Sequence, residues 1–147
     1  MWTTARRSPA LSAWLLSLLS AFTGYAPAQA RPPSGDELHS MYCVEVLRAE
    51  IKLQQHLISA SSEAAGLAPP QSREQWINTS AELLGRLVQL EGALQRLQLF
   101  MLPRIPTIDS IALATAIRQA AADVQESWTS EPLLSRAGAC ENPAWLR

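Results

Sequence analysis

The sequence predicts an all-α protein, a small antiparallel three-helix bundle running up-down-up, with a disulfide-pinned C-terminal tail and a cleaved signal peptide in front. Three observations predict it. An apolar leader follows two arginines, long stretches of helical periodicity are separated by prolines, and two cysteines lie far apart. A chain of 147 residues with 48% hydrophobic and 17% charged residues has the balance of one globular domain, so the helical stretches must share a core.

Arg6 and Arg7 supply a positive end to the leader, and Ala10 to Thr23 is an apolar run of about 14 residues, too short to span a bilayer. Ala28-Gln29-Ala30 places small residues where a signal peptidase reads them, so a cut after Ala30 gives a 1–30 leader and a 31–147 domain. Ala26-Pro27-Ala28 offers a second cut two residues earlier. Ser8-Pro9-Ala10 lacks the residues expected after a twin-arginine pair, which favours the general secretory route. With Cys43 the first cysteine, none stands at the cleavage point to carry a lipid anchor.

Losing Arg6 and Arg7 leaves ten basic residues against thirteen acidic ones, a net charge of −3. That balance lacks the basic footprint that nucleic acids select, and a chain without its leader has no segment for stable membrane insertion. Lys52 is the sole lysine among twelve basic residues, a bias of GC-rich bacterial genomes that points to the periplasm, with an extracellular destination as the alternative. Asn78-Thr79-Ser80 is a glycosylation sequon in form, but it falls inside a predicted helix.

The first predicted helix spans about 36–63 and opens on the capping box Ser34-Gly35-Asp36-Glu37. Cys43, Val44, Val46, Leu47, Ile51, Leu53, Leu57 and Ile58 fill a wide apolar arc, while Glu45, Arg48, Lys52, Gln55, Ser59 and Glu63 form a wet strip. Gly66 and Pro69-Pro70 end it. Ser72-Arg73-Glu74-Gln75 is a second capping box, from which the next helix spans about 73–101.

Along this second helix Trp76, Ser80, Leu83, Leu87, Leu90, Leu94, Leu97 and Met101 follow alternating steps of four and three, the seam along which helices interlock. Beside it runs a second stripe, Ile77, Ala81, Leu84 and Val88, flanked by Gly85 and Gly92. Glycines so placed predict close packing of another backbone within the bundle. Thr107 caps a third helix over about 108–128, and an irregular tail covers 129–147 after a short turn opened by Ser130-Glu131-Pro132.

In an exported chain, Cys43 and Cys140 have one intramolecular pairing open to them. Cys43 lies near the start of the first helix, whereas the third ends at the opposite pole, roughly 20 Å away. The residues from Thr129 to Cys140 can span that distance if the tail folds back along the bundle.

Glu50 and Glu91 fall inside or beside apolar arcs, where a carboxylate loses hydration unless it is paired. In antiparallel neighbours, residue numbers at equal height sum to about 137 for the first two helices and about 209 for the second and third. Glu91 then lies opposite Val46 and level with Arg118, which predicts a structural Glu91–Arg118 ion pair. Trp76 and Trp128 fall at one pole, either as a plug beside Leu57 and Ile58 or as an aromatic contact for a partner.

Chemistry finds little purchase. His39, Met41 and Cys43 sit close together, but the disulfide consumes Cys43 as a metal ligand, and His56 stands alone. No serine lies in a G-x-S-x-G turn and no C-x-x-C occurs, so no catalytic, cofactor-binding or metal residue is assigned. Arg48 and Lys52 fall on the wet strip rather than on an inward face that would hold an anionic substrate. The reading is an exported interaction protein, an adaptor, assembly factor or chaperone-like subunit whose partner is another protein. The alternative is a ligand-binding or enzymatic bundle with an internal charged pocket, for which Glu50, Glu91 and Arg118 would be the lining.

Overall fold

The computed structural model describes residues 30–127 and 133–146. The expected leader and Trp128 lie outside the described residues. Four α-helices follow in order: α1 Gly35–Leu67, α2 Pro70–Met101, α3 Ser110–Ser127 and α4 Leu133–Glu141, with 3-10 turns at Ile105–Thr107 and Ala144–Leu146. No strand occurs among the described residues, and one isolated parallel bridge joins Arg31 to Ile108.

The capping box at the start of α1 forms as the sequence predicts. Ser34 accepts from the Glu37 N–H, and the Glu37 carboxylate accepts the Ser34 N–H. Glu37 also takes both arms of the Arg31 guanidinium, at 2.6 and 2.8 Å, and is buried. Arg31 thereby ties the chain ahead of α1 to the turn ahead of α3: its N–H donates to the Thr107 carbonyl and its carbonyl accepts from the Asp109 N–H. The arginine pair, ahead of burial, which acts the other way, holds the Glu37 carboxyl down at about 2 from an ordinary 4.5.

Helix ends differ from the sequence reading in three places. α1 runs through Gly66 to Leu67, and α2 starts at Pro70 rather than at the Ser72 box, so the connection is Ala68 and Pro69 alone. Each of these two residues precedes a proline and is extended, with ψ of 146° and 154°, because a proline ring excludes the helical conformation from the residue before it. Pro70 then suits the first helical position, where no N–H is needed. At α3 the cap is Asp109, whose Oδ1 accepts from the Ile111 and Ala112 N–H groups, while Thr107 belongs to the preceding 3-10 turn.

The fourth difference is α4 itself. The stretch expected to be an irregular tail is a nine-residue helix, with Ala137 and Cys140, one turn apart, buried on a single face. Gly138 falls on the exposed side, where its low helix propensity is tolerated. Cys140 is bonded to Cys43, so the C-terminal segment does return to the start of α1.

α1 is the central element, packed against α2, α3 and α4. The core gathers around the disulfide: Val46 and Leu47 of α1, Leu90, Ala93 and Leu97 of α2, Val124 of α3, and Ala137. Trp145 completes this end, its ring 4.9 Å from Phe100 and edge-on to His39 at 5.9 Å, with the Arg104 guanidinium over the Phe100 ring, 3.7 Å from its centroid.

Two outcomes are expected. Replacing Cys43 and Cys140 together by serine opens a loop with a sequence separation of 97 and lowers stability by up to about 4.7 kcal/mol, read as a reduced urea midpoint that reductant no longer changes. The depressed Glu37 carboxyl contributes stability in full above pH 4.5 and loses it as pH falls toward 2; Arg31→Gln should flatten the fall in unfolding midpoint across that window.

Candidate functional site

Burial is unevenly distributed along the α1–α2 hairpin. In α2 the buried residues are Leu90, Ala93, Leu97 and Met101, and none precedes Leu90; in α1 the buried run ends at Gln54 apart from Ser61. α3 lies parallel to α1 from the same pole. Leu38 and Tyr42 share a groove with Ala112 and Ala116, and Lys52 shares one with Gln125. The described part of α3 therefore reaches only to about the level of Lys52, and α1 continues to Leu67, about 20 Å further at 1.5 Å per residue.

On this outer half the second stripe of α2 is left uncovered among the described residues. Val88 is 68% exposed, Ile77 54% and Leu84 48%, with Ala81 exposed between them. Leu99 and Leu102 are exposed as well, but the exposed Glu91, Gln95 and Gln98 separate them from Val88 on this side of the helix. The glycines on its flank do not admit a neighbour from within the bundle, contrary to the sequence expectation. A Cβ at Gly85 would meet nothing within 4 Å, and one at Gly92 would meet the tip of Arg96 at 3.8 Å. The seam predicted beside this stripe does face α1, which turns Ile77, Leu84 and Val88 away from it.

Between the two helices the interface becomes polar above Leu47. Glu50 is fully buried; its Oε1 accepts from Gln54 at 3.0 Å and lies 3.9 Å from the Arg86 Nε. Arg86 also reaches the Glu141 carboxylate at 2.5 Å, and Arg96 donates to the Glu141 backbone carbonyl, so two arginines of α2 meet the C-terminal end of α4. Glu50 Oε2 and Gln54 Oε1 have no protein hydrogen-bond partner among the described residues. One level further out, Ser61 and Ser80 share a 2.7 Å hydrogen bond across the hairpin.

The expected Glu91–Arg118 pair is not formed. Both side chains are exposed, and Arg118 donates from Nε to the Ala114 carbonyl of its own helix. Their pairing requires the third helix to pack along the second, whereas α3 packs on α1. Arg86 is the residue that meets the buried carboxylate. The sequence holds the signal for it, since an equal-height sum of about 137 puts the position next to Arg86 level with Glu50. Trp76 and Leu57 are both exposed, at 40% and 42%, and the tryptophan packed near the core is Trp145, brought there by the disulfide five residues earlier. His39 lies with Nε2 3.6 Å from the bonded Cys43 sulfur, and His56 is exposed.

These features describe a disulfide-based helical hairpin with an uncovered apolar face. The chain matches no protein-family model, and no curated protein or solved structure is significantly similar to it. Among the described residues no helix is long and apolar enough to cross a membrane.

Arg86→Met strands the Glu50 carboxylate in the interface and should lower unfolding free energy by about 3 kcal/mol in chemical denaturation. Adding Glu50→Leu should recover most of that loss, because the unpaired charge is then gone.

Proposed function

We propose that this chain is a small exported interaction protein, serving as an adaptor, assembly factor or chaperone-like subunit, and that it holds its protein partner along the exposed face of α2. The observation that carries the reading is the uncovered stripe of Ile77, Ala81, Leu84 and Val88. Its spacing is that of a helix-in-groove or helix-on-helix contact, in which apolar side chains at alternating steps of four and three meet a partner. Gly85 supports it, since the space over that position is open to an approaching backbone. Apolar side chains in a continuous line on a soluble surface carry a cost in water that a partner removes.

Export to an oxidising compartment, most naturally the bacterial periplasm, fits the Cys43–Cys140 disulfide and the leader sequence. The competing reading, a charged catalytic pocket, loses its lining: Glu91 and Arg118 are exposed, and Glu50 is engaged by Gln54 and faces Arg86.

A photo-crosslinking residue at Ala81, compared with one at Glu63 on α1, tests the reading in the native host. A single discrete adduct is expected from position 81 and none from position 63. The Leu84→Asp, Val88→Asp double variant should abolish that adduct while its unfolding midpoint stays within about 0.5 kcal/mol of the parent, because neither side chain is buried. Adducts at both positions, or crosslinking that survives the double variant, refutes binding through this face.

A further inference from the structure

A cleft of about 260 Å³ opens between α1, α2, the Ile105–Thr107 turn and α3. Met41 and Met101, both buried, form its floor; Leu113 lines a wall; and Leu102 and Ile117, at 65% and 43% exposure, stand at the lip. This is a concave, mostly apolar site with three polar residues in its lining, Gln98 of α2 and Glu45 and Arg48 of α1, the arrangement of small-ligand sites. A cavity of about 150 Å³ holds benzene, so this one takes a body larger than one ring but well short of a drug-sized molecule. Two methionines suit such a role because the flexible, polarisable side chain adapts its shape to what enters.

The charged edge decides the chemistry of the ligand. Glu45 and Arg48, three positions apart on α1, both line the cleft and pair through Arg48 Nη1 at 2.8 Å. The carboxylate is the less accessible partner, with its side chain 21% exposed against 52% for the arginine. One guanidinium nitrogen is engaged by Glu45, and the planar fork retains further donors for an anion. Lys52, one turn further along the exposed strip, adds a second positive charge on that side in a chain whose net charge is negative.

We propose that this cleft binds a small amphipathic carboxylate, its apolar body of about eight carbons lying on Met41 and Met101 and its carboxylate held by Arg48. The site is separate from the Ile77–Val88 stripe, and the proposal stands whether or not that stripe binds a partner.

The methyl resonances of Met41 and Met101 report on the floor directly. Octanoate titrated into the purified protein should shift both in a saturable manner, and octan-1-ol should bind about tenfold more weakly. Arg48→Gln should reduce octanoate affinity about tenfold and leave octan-1-ol unchanged, and Leu113→Trp, which fills the cleft, should abolish both. If Leu113→Trp melts without cooperativity, Ile117→Trp at the exposed lip serves as the blocking variant. Absence of methyl shifts at millimolar octanoate, equal affinity of parent and Arg48→Gln, or binding that persists in the blocked variant overturns the proposal.

Discussion

The Cys43–Cys140 bond joins the helix that touches every other helix to the end of the chain, and the packing of the base follows from that link. α4 has nine residues, too few to be stable as an isolated helix in water, so its register is set by what holds it. The disulfide fixes one face, Ala137 packs against the same core, and Arg86 and Arg96 meet its C-terminal residue. Trp145 follows within a few residues and closes the pole against Phe100 and His39. A short, locally weak segment thus becomes a wall of the core by covalent attachment at one point.

The parts legible in the sequence were those determined by local chemistry. The Ser34 capping box, the proline break after Leu67, the long seam of α2 and the pairing of the cysteines each need few residues to specify and appear where periodicity and composition put them. What escaped was the placement of helices relative to one another. A third helix of 18 residues can run along either of two longer ones, and nothing in its alanine-rich sequence, SIALATAIRQAAADVQES, says which. Packing along α2 would bring Glu91 and Arg118 together, whereas the actual neighbour, α1, leaves both in water. The α4 helix is hidden for a related reason: Gly138 weakens its intrinsic preference, and the tertiary contacts that override it come from residues 45 to 97 positions away.

The same placement explains the candidate surface. Apolar residues are distributed along the whole of both long helices, but α3 accompanies α1 only over its first part among the described residues. The excess of apolar helix surface visible in the composition therefore becomes an exposed line on α2 instead of an enlarged core. Leu102 stands at the lip of the cleft that Arg48 also lines, and the exposed Glu91, Gln95 and Gln98 keep that cleft apart from the Ile77–Val88 line.

The polar rungs between α1 and α2 also index the hairpin. Heptad seams are nearly self-similar, and leucines alone would accept a slide of seven residues with little loss of contact. Such a slide would replace Arg86 opposite Glu50 by Thr79 or Ala93, and Ser80 opposite Ser61 by Arg73 or Leu87. Each alternative leaves a buried carboxylate without a cation or a hydroxyl without its partner. Glu50 and Ser61 thus act as detents on a smooth rail, giving up some apolar contact so that two long helices stop at a single alignment.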